Sequence, residues 1–244
     1  MRYAVISDIH SNLEAFSAFI DEVENLDINK IICLGDIVGY NANPNECIDI
    51  IRKKKIICVM GNHDSRASGL EDPFDFNLQA QTAIYWTRHA LNAENKEFLR
   101  NLPRTLLIDN KFLAVHGSID DTDTYILGER SALRNFDLLR EMGRPNLCFF
   151  GHTHVPVTFA EHDGSADIKT DQTIKIEKGV NYLINPGSIG QPRDRDPRAS
   201  FIIYDTRKSI VTFHRIEYDI QSTAEKILAA GLPERLAERL KLGW

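Results

Sequence analysis

The fold and the site are best predicted from one segment, Leu147-Cys148-Phe149-Phe150-Gly151-His152-Thr153-His154. Its first four residues are an apolar run, which is typical of a short buried strand. Gly151 permits a sharp turn where that strand ends, so that His152 and His154 can reach into one small volume. Imidazole is a good ligand for Zn, Mn, Fe and other divalent metals. For this segment alone, a pair of loop histidines without a metal is an equally good interpretation.

Polar side chains of the same chemistry follow four other strand-like runs. The five positions together are Asp8 and His10, Asp36, Asn62 and His63, His116, and His152 and His154. They contain five of the eight histidines in the chain. Ligands of open α/β sheets bind at the carboxyl ends of the strands. We therefore expect these side chains to meet in one metal site at that end of a sheet.

The first part of the chain alternates between predicted strands and helices. Strands are predicted at residues 2–7, 30–34 and 56–60, because each is a short apolar run. The first helix is predicted to begin at a capping box, Ser11-x-x-Glu14, and the second at Asn43-Pro44, with proline in its first turn. This β-α-β-α-β order, with nearly continuous apolar strands, predicts a parallel sheet that is covered on both faces.

The remaining elements are predicted from periodicity and turn residues. They are two helices within residues 77–101, paired strands at 106–108 and 112–115, a helix near 131–142, strands at 155–160 and 181–185 with a surface hairpin between them, a hairpin over 201–213, and one or two amphipathic helices within 220–241. No Pro-, Gly- or Ser-rich linker divides the chain. We therefore predict a single domain over residues 1–244, with the metal-site motifs within 8–154 and the second-sheet strands and C-terminal helices in 155–244.

The composition disfavours several classes of function. The 244 residues are 43% hydrophobic, which is enough for a sizeable core. A net charge of −6 disfavours a nonspecific nucleic-acid or membrane-surface binder, although a bound metal can still attract phosphate. Apolar surroundings predict buried free thiols for Cys33, Cys47, Cys58 and Cys148. Without a signal peptide or a transmembrane run, the chain is predicted to be cytoplasmic.

The donor types indicate which metals the site would hold. Carboxylates, imidazoles and an amide, without a thiolate, suit Mn, Fe, Zn, Co or Ni and not a cysteine-rich structural zinc. Seven potential ligands are too many for one ion, but they suit two ions that share a bridging carboxylate. Two-metal sites hold the attacking and leaving oxygens of an in-line displacement and lower the pKa of water toward about 7. The sequence therefore predicts two divalent ions, whose identity stays open.

The ordered set of motifs resembles the five signature motifs of the calcineurin-like metallophosphoesterases. In this chain they are Asp8-x-His10, Gly35-Asp36-x-x-Gly39, Gly61-Asn62-His63-Asp64, His116-Gly117 and Gly151-His152-Thr153-His154. The downstream Asn185-Pro186-Gly187-Ser188 is similar to the smaller bacterial and archaeal members, and Gly39-Tyr40 followed by Pro44-Asn45-Glu46 resembles the small prokaryotic, phosphodiesterase-like branch. The resemblance implies an α/β (α+β) fold, a four-layer α/β/β/α sandwich of two mixed sheets flanked by helices. The metal site would lie at the carboxyl ends of the strands.

The resemblance also implies a role for each motif residue. One metal would be held by Asp8, His10 and His154, and the other by Asn62, His116 and His152. Asp36 would bridge the two ions. His63 would face the leaving group, where an imidazolium stabilises the phosphoryl charge and protonates the departing oxygen.

One motif departs from the protein-phosphatase branch of this superfamily. That branch extends the second motif as G-D-x-V-D-R-G, and its second Asp partners the catalytic His. Here Gly39 and Tyr40 stand in place of that Asp and the adjacent Arg, so a phosphoprotein-phosphatase specialisation is not expected. Another group must then orient His63. Asp64 either orients a nearby histidine or bonds its own backbone.

The implied function is hydrolysis of a phosphodiester, phosphomonoester or nucleotide phosphate through attack by a metal-bridging hydroxide. The partner would be a small phosphorylated substrate, with nucleotides among the candidates. The alternatives are a catalytically weak metal-binding scaffold or regulatory subunit, which the complete ligand set disfavours, and a nuclease, which the acidic charge balance disfavours. The physiological substrate and the oligomeric state stay open.

Three residues are candidates for contacting the substrate. Tyr40 can stack on a base or an aromatic leaving group, or it can simply pack in the core. Arg193 can bind phosphate bidentately, or it can lie in a solvated loop whose charges compensate one another. Ser188 can contact phosphate, or it can serve only the turn in its Asn-Pro-Gly-Ser loop.

Overall fold

Two six-stranded sheets form the framework of the protein. The computed structural model describes residues 1–143 and 145–244. Its strands are β1 (Arg2–Ile6), β2 (Lys30–Cys33), β3 (Ile57–Cys58), β4 (Thr105–Ile108), β5 (Phe112–Val115), β6 (Leu147–Phe149), β7 (Val157–His162), β8 (Ser165–Lys169), β9 (Thr173–Lys175), β10 (Tyr182–Asn185), β11 (Ala199–Asp205) and β12 (Ile210–Ile216). Its helices are α1 (Leu13–Glu24), α2 (Pro44–Lys54), α3 (Asn62–Ser68), α4 (Leu78–Ala90), α5 (Ala93–Arg100), α6 (Glu129–Glu141), α7 (Ile220–Ala229) and α8 (Glu234–Leu242).

Both sheets contain parallel and antiparallel strands. The first has the order β3-β2-β1-β11-β12-β9, and the second has the order β4-β5-β6-β10-β7-β8. β1, β2 and β3 run parallel, as do β5, β6 and β10. The other neighbouring strands pair antiparallel. The carboxyl ends of each parallel group therefore meet at one edge of their sheet.

Alternation along β1 shows how the layers are built. Tyr3 and Val5 face the second sheet and pack there in a core with Phe149. Ala4 and Ile6 face the other way, toward α1, α2 and α5, because successive side chains of a strand point to opposite faces. Helix α6 covers the outer face of the second sheet. The predicted fold class, two mixed sheets flanked by helices in an α/β/β/α sandwich, is therefore confirmed.

The start of α1 differs from the prediction. Asn12, and not Ser11, is the N-cap, and its side chain accepts a hydrogen bond from Ala15 N at 3.1 Å. Ser11 has a φ of 57°, and its hydroxyl accepts a hydrogen bond from Gly39 N at 3.1 Å. The predicted capping box is therefore wrong, because Ser11 binds the loop that follows β2.

Two other regions differ from their predicted structure. β3 is only two residues long, and the polar motif after it opens helix α3, which was not predicted. The stretch 161–179 does not form one hairpin: β8 pairs with β7, whereas β9 crosses to the first sheet and pairs with β12. This crossing buries Ile174 between the sheets. The remaining elements lie within a few residues of their predicted ranges.

The C-terminal helices pack on their own chain, near the end of β2. Leu232, Leu236 and Leu240 are buried in one cluster with Tyr40 and Ala83. This cluster connects α4, α7 and α8 to the loop that carries Gly39 and Tyr40. The last helix therefore packs against that loop and also covers part of the core.

All four cysteines are buried and free, as predicted. In the part of the chain that the structure describes, no helix is both long enough and apolar enough to cross a membrane. The single domain and the cytoplasmic location stay predictions.

We predict that Phe149→Ala lowers the free energy of unfolding by about 3–5 kcal/mol, because a buried ring is replaced by a cavity between the sheets. Phe149 is fully buried, and its ring centroid lies 4.9 Å from that of Phe112. Urea unfolding followed by circular dichroism measures the loss. The control is Phe74→Ala, because Phe74 is 77% exposed, and its change should stay within about 0.5 kcal/mol. Equal losses in the two variants would contradict the packing.

Candidate metal centre

The seven residues predicted as metal ligands all lie at strand ends and meet at the edge of the two sheets. In chain order they are Asp8 and His10 after β1, Asp36 after β2, Asn62 after β3, His116 after β5, and His152 and His154 after β6. All seven are buried. Buried carboxylates and imidazoles need partners, so their arrangement decides what the site can do.

Five of these residues have left-handed backbone conformations. The φ angle is 56° at Asp8, 47° at His10, 52° at Asp36, 67° at His152 and 60° at His154. Such angles are unfavourable for residues other than glycine and cluster at functional sites. Main-chain hydrogen bonds hold these turns; His10 N, for example, donates to Asp36 O at 2.9 Å. The backbone is therefore strained where it turns the side chains toward a common centre.

The side chains form two donor groups that share one carboxylate. The first group is Asp8, His10, Asp36 and His154, and the second is Asp36, His116 and His152. Within each group the possible ligand atoms lie within 4.8 Å of one another. Asp36 Oδ2 is 3.5 Å from His10 Nε2 and 3.3 Å from His116 Nε2. The shared carboxylate places the two groups next to each other.

Hydrogen bonds to main-chain carbonyls turn three of the imidazoles toward the centre. The distance from Nδ1 to a carbonyl oxygen is 3.1 Å in His10, 2.8 Å in His116 and 2.6 Å in His154. An Nδ1–H that donates to a carbonyl leaves Nε2 with a lone pair for a metal. His152 is turned the other way, with Nε2 3.1 Å from Asp123 O, so its Nδ1 is left to act as the ligand atom.

Unsatisfied acceptors at the centre fit a bound cation. Asp8 Oδ1 is buried and has no hydrogen-bond partner within residues 1–143 and 145–244. The Nε2 atoms of His10 and His154 lie only 3.1 Å apart. Two ring nitrogens that both present lone pairs repel each other unless a cation lies between them. Because carboxylate and imidazole are also the ligands that divalent transition metals prefer, the residues fit a divalent metal site.

The electrostatics of the centre also favour positive charge there. Burial opposes ionisation of Asp36, but positive charge on the neighbouring imidazoles, first of all that of His116, outweighs burial and holds the pKa of Asp36 well below its ordinary value. Burial alone would lower the pKa of His116, yet the charges of Asp36 and Asp8 raise it to about 10. A proton on His116 thus offsets the carboxylates, and a divalent ion that binds there would displace it.

His63 lies beside the donor groups and is oriented mainly by ring packing. Its main-chain N–H donates to Asp36 Oδ1 at 2.9 Å. Its ring centroid is 4.5 Å from that of Tyr40, 4.7 Å from that of Phe76 and 4.7 Å from that of His10. Its buried Nδ1 has no hydrogen-bond partner among the described residues. Burial lowers the pKa of His63 to about 4, so the ring is neutral at pH 7 when the cavity beside it is free of anions.

Two neighbours explain why no carboxylate orients His63. A Cβ at position 39 would lie 2.4 Å from Nδ1 of His63, and Gly39 has a φ of 100°, so a larger residue does not fit. Asp64 instead accepts hydrogen bonds from three main-chain N–H groups, those of Ile37, Val38 and Gly61. Of the two interpretations of Asp64, the structure therefore favours bonding to the backbone.

A cavity of about 250 Å³ lies beside the donor groups, and two of the three predicted substrate contacts line it. Tyr40 and Arg193 are among its lining residues. Ser188 is fully buried instead; its hydroxyl donates to Asp8 O at 2.9 Å and accepts from Gln191 N at 2.8 Å. The structure therefore corrects the expectation for Ser188, because its hydroxyl holds the loop together and does not reach the cavity.

Five cavity residues with polar or aromatic side chains were not predicted, namely Asp75, Phe76, Asn77, Asp123 and Tyr125. Arg66 of α3 holds this part of the wall: its guanidinium is 2.7 Å from Asp75 and 3.0 Å from Asp123, and it lies 4.5 Å above the ring of Phe76. These residues lie in loops without periodicity. One feature of the sequence could have indicated these cavity residues, namely the presence of aromatic residues within polar loops.

Comparisons with known proteins agree with this architecture. A model described as the calcineurin-like phosphoesterase superfamily domain matches residues 1–209. An uncharacterized protein of Methanocaldococcus jannaschii is 42% identical over 240 residues, which cover 98% of this chain and 97% of that protein.

Solved structures show the same similarity. The crystal structure of a metallophosphoesterase from Sphaerobacter thermophilus is 40% identical, with a TM-score of 0.87 over 100% of both chains. A hypothetical protein of Pyrococcus horikoshii shares the fold at 23% identity, with a TM-score of 0.83 over 100% of this chain and 98% of that one. The chain belongs to the calcineurin-like phosphoesterase superfamily.

Proposed function

We propose that the chain is a metal-dependent phosphoesterase with a dinuclear centre, which hydrolyses a phosphodiester, a phosphomonoester or a nucleotide phosphate. One observation carries this proposal: Asp36 belongs to both buried donor groups. Because the groups share a carboxylate, two ions held there would be close enough to act on the same phosphoryl group. Membership of the superfamily supports phosphate-ester hydrolysis as the class of reaction.

The proposal assigns each ion its ligands. Asp8, His10 and His154 would hold the first ion and Asn62, His116 and His152 the second, with Asp36 between them. Asn62 Oδ1 lies 3.1 Å from His116 Nε2, which supports its inclusion in the second set. Mn, Fe, Zn, Co and Ni all suit this mixture of nitrogen and oxygen ligands. Ions bound there would polarise the phosphoryl group and make a nucleophile available from water at neutral pH.

His63 is proposed as the group that meets the leaving oxygen. Its ring lines the cavity and is neutral before a substrate arrives. A negatively charged phosphoryl group nearby would favour the protonated form, and the imidazolium would then give its proton to the departing oxygen. Packing on Tyr40 and Phe76 would hold the ring in place during this transfer.

The substrate is proposed to be a small phosphorylated molecule. The cavity of about 250 Å³ admits a phosphate group and part of a leaving group. Arg193 Nη2 lies 3.3 Å from Tyr40 Oη, so we propose that both residues contact the substrate at one end of the cavity. The net charge of −6 gives no support for nucleic acid as a partner.

Metal-stripped protein reloaded with Mn, Ni, Co, Zn or Mg tests the proposed function. The paired substrates are p-nitrophenyl phosphate and bis-p-nitrophenyl phosphate, and the absorbance of released p-nitrophenol measures turnover. We expect turnover of at least one substrate that depends on added metal. Asp36→Asn should bind fewer than two ions and lose about 100-fold in turnover. Mutation of residues that only hydrogen-bond to metal ligands already lowers activity by up to about 100-fold.

Asp137→Asn is the matched control, because Asp137 is exposed on α6. Metal content is measured by inductively coupled plasma mass spectrometry on the same samples. Two tightly bound ions in Asp36→Asn would contradict the shared carboxylate. An absence of metal-dependent turnover of both substrates would contradict a general phosphoesterase.

His63→Ala is expected to keep both ions and to lose about 100- to 10,000-fold in turnover, the range for removal of a general acid. The loss should be smaller for a p-nitrophenyl ester than for an alkyl ester, because p-nitrophenolate leaves without being protonated. His89→Ala, at an exposed position of α4, is the control. Equal losses for both kinds of ester would contradict the proton-donor role, and full activity of His63→Ala would contradict any role of His63 in the reaction.

Gly39→Ala tests whether ring packing positions His63. The added Cβ would lie 2.4 Å from His63 Nδ1, and a displacement on the order of 1 Å should lower turnover about 100-fold without loss of metal. Gly164→Ala is the control: Gly164 has a φ of 80°, but an added Cβ meets nothing within 4 Å. Equal turnover in the two variants would show that the close approach to His63 is unimportant.

A further inference from the structure

Arg193 is a cation of the cavity, and within residues 1–143 and 145–244 it forms no ion pair with a carboxylate. It lies in the loop between β10 and β11 and lines the cavity. Its Nη2 donates to two neutral oxygens, Tyr40 Oη at 3.3 Å and Gln191 Oε1 at 3.0 Å. Its Nε is buried and has no hydrogen-bond partner in the part of the chain that the structure describes. The guanidinium therefore has donor capacity that the described protein atoms do not use.

The other arginine near the cavity has the opposite environment. Arg66 lies 2.7 Å from Asp75, 3.0 Å from Asp123 and 3.4 Å from Glu71. Its charge is thus balanced by carboxylates of the protein, and its ion pairs hold the loops that line the cavity. An arginine that is largely buried without such a partner is unfavourable, unless a ligand supplies the opposite charge.

A second arginine adds to the positive charge beside Arg193. Arg239 lies on α8 between Leu236 and Leu240, which are buried in the same cluster as Tyr40. Burial, followed by the charge of Arg193, lowers the pKa of Arg239 to about 10. Arg239 Nε donates to the main-chain oxygen of Trp244, so Arg239 has a partner of its own, and of these two arginines Arg193 is the one that lines the cavity.

Charge balance at the proposed centre leads to the same expectation. Asp8 and Asp36 would balance two of the four positive charges that two divalent ions bring. An attacking hydroxide and the single charge of a phosphodiester would balance the other two. Asp75 and Asp123, which also line the cavity, are both paired with Arg66, so among the described residues Arg193 is left without a carboxylate within ion-pair distance. A phosphomonoester, or a diester with a further phosphate on its leaving group, supplies one more negative charge.

We propose that Arg193 is a specificity-determining residue that recognises a second negative charge on the substrate, carried either by the reacting phosphorus or by a phosphate of the leaving group. A guanidinium binds two phosphate oxygens at once through parallel N–H groups. Tyr40 supports the guanidinium, whose Cζ lies 5.8 Å from the centroid of the ring. This inference rests on the proposed function, because the ions decide where the reacting phosphate lies.

Calorimetric titration of the metal-loaded chain with three unreactive probes tests the inference. Dimethyl phosphate carries one negative charge, methylphosphonate carries two at mildly alkaline pH, and methylenediphosphonate adds a second phosphonate group. We expect Arg193→Gln to lower the affinity for at least one of the two phosphonates by about 10- to 100-fold, the range for hydrogen bonds to charged groups. The affinity for dimethyl phosphate should change by less than about 2-fold, because this probe lacks the second negative charge that Arg193 recognises.

The two phosphonates distinguish the two sources of the charge. Weaker binding of methylphosphonate would place the second charge on the reacting phosphorus and indicate a phosphomonoester substrate. Weaker binding of methylenediphosphonate alone would place it on the leaving group. An equal change for all three probes, or no change for any of them, would overturn the inference.

Two further variants keep the test independent of folding and of turnover. Arg195→Gln removes an exposed arginine of the same loop and should leave all three affinities unchanged. Arg193→Lys keeps the charge but loses the paired donors, so its phosphonate affinities should fall between those of the parent and of Arg193→Gln. Thermal unfolding checks that each variant is folded. Failure of the proposed function is recognised separately, as the absence of metal-dependent turnover in the chromogenic assay.

Discussion

The carboxylate of Asp36 is the contact on which the rest of the site depends. Its Oδ1 accepts the N–H of His63 at 2.9 Å, and its Oδ2 lies 3.3 Å from His116, so one side chain joins the ends of β2 and β5 to helix α3. This is possible because the backbones approach closely. A Cβ on Gly61 would lie 2.1 Å from Asp36 Oδ1, and a Cβ on Gly35 would lie 2.6 Å from Gly61 N. The site is thus a product of glycine turns at adjacent strand ends.

This constraint explains how far the sequence could predict the structure. Apolar runs followed by polar residues identify strand ends, and parallel strands bring their ends together, so all seven predicted ligands could be placed at one edge of the sheets. The start of α1 could not be predicted, because the Ser11 hydroxyl binds Gly39 N, 28 positions away, and a tertiary contact outweighed the local capping pattern. Helix α3 has seven residues, which is too short for a periodic signal. The cavity wall was missed because ion pairs between distant loops, such as that of Arg66 with Asp123, set its position.

The exchange of a carboxylate for Gly39 changes the way in which His63 is held. A carboxylate partner orients an imidazole and also stabilises its protonated form. The rings of Tyr40, Phe76 and His10 orient the imidazole but leave it neutral and buried. The proton that His63 would donate must therefore be favoured by the negative charge of the substrate, which ties the acid form of His63 to an occupied cavity.

Tyr40 joins this histidine to the proposed anion position. Its ring packs on His63, its hydroxyl accepts a hydrogen bond from Arg193, and its other side is buried against α8. In the protein-phosphatase branch an Asp and an Arg stand where this chain has Gly39 and Tyr40, so the loop after β2 carries neither that carboxylate nor that cation. Arg193, from the loop after β10, places a cation beside Tyr40, whose hydroxyl accepts its hydrogen bond at 3.3 Å. In this chain the orientation of His63 and the proposed recognition of charge thus come from two loops that meet at the ring of Tyr40.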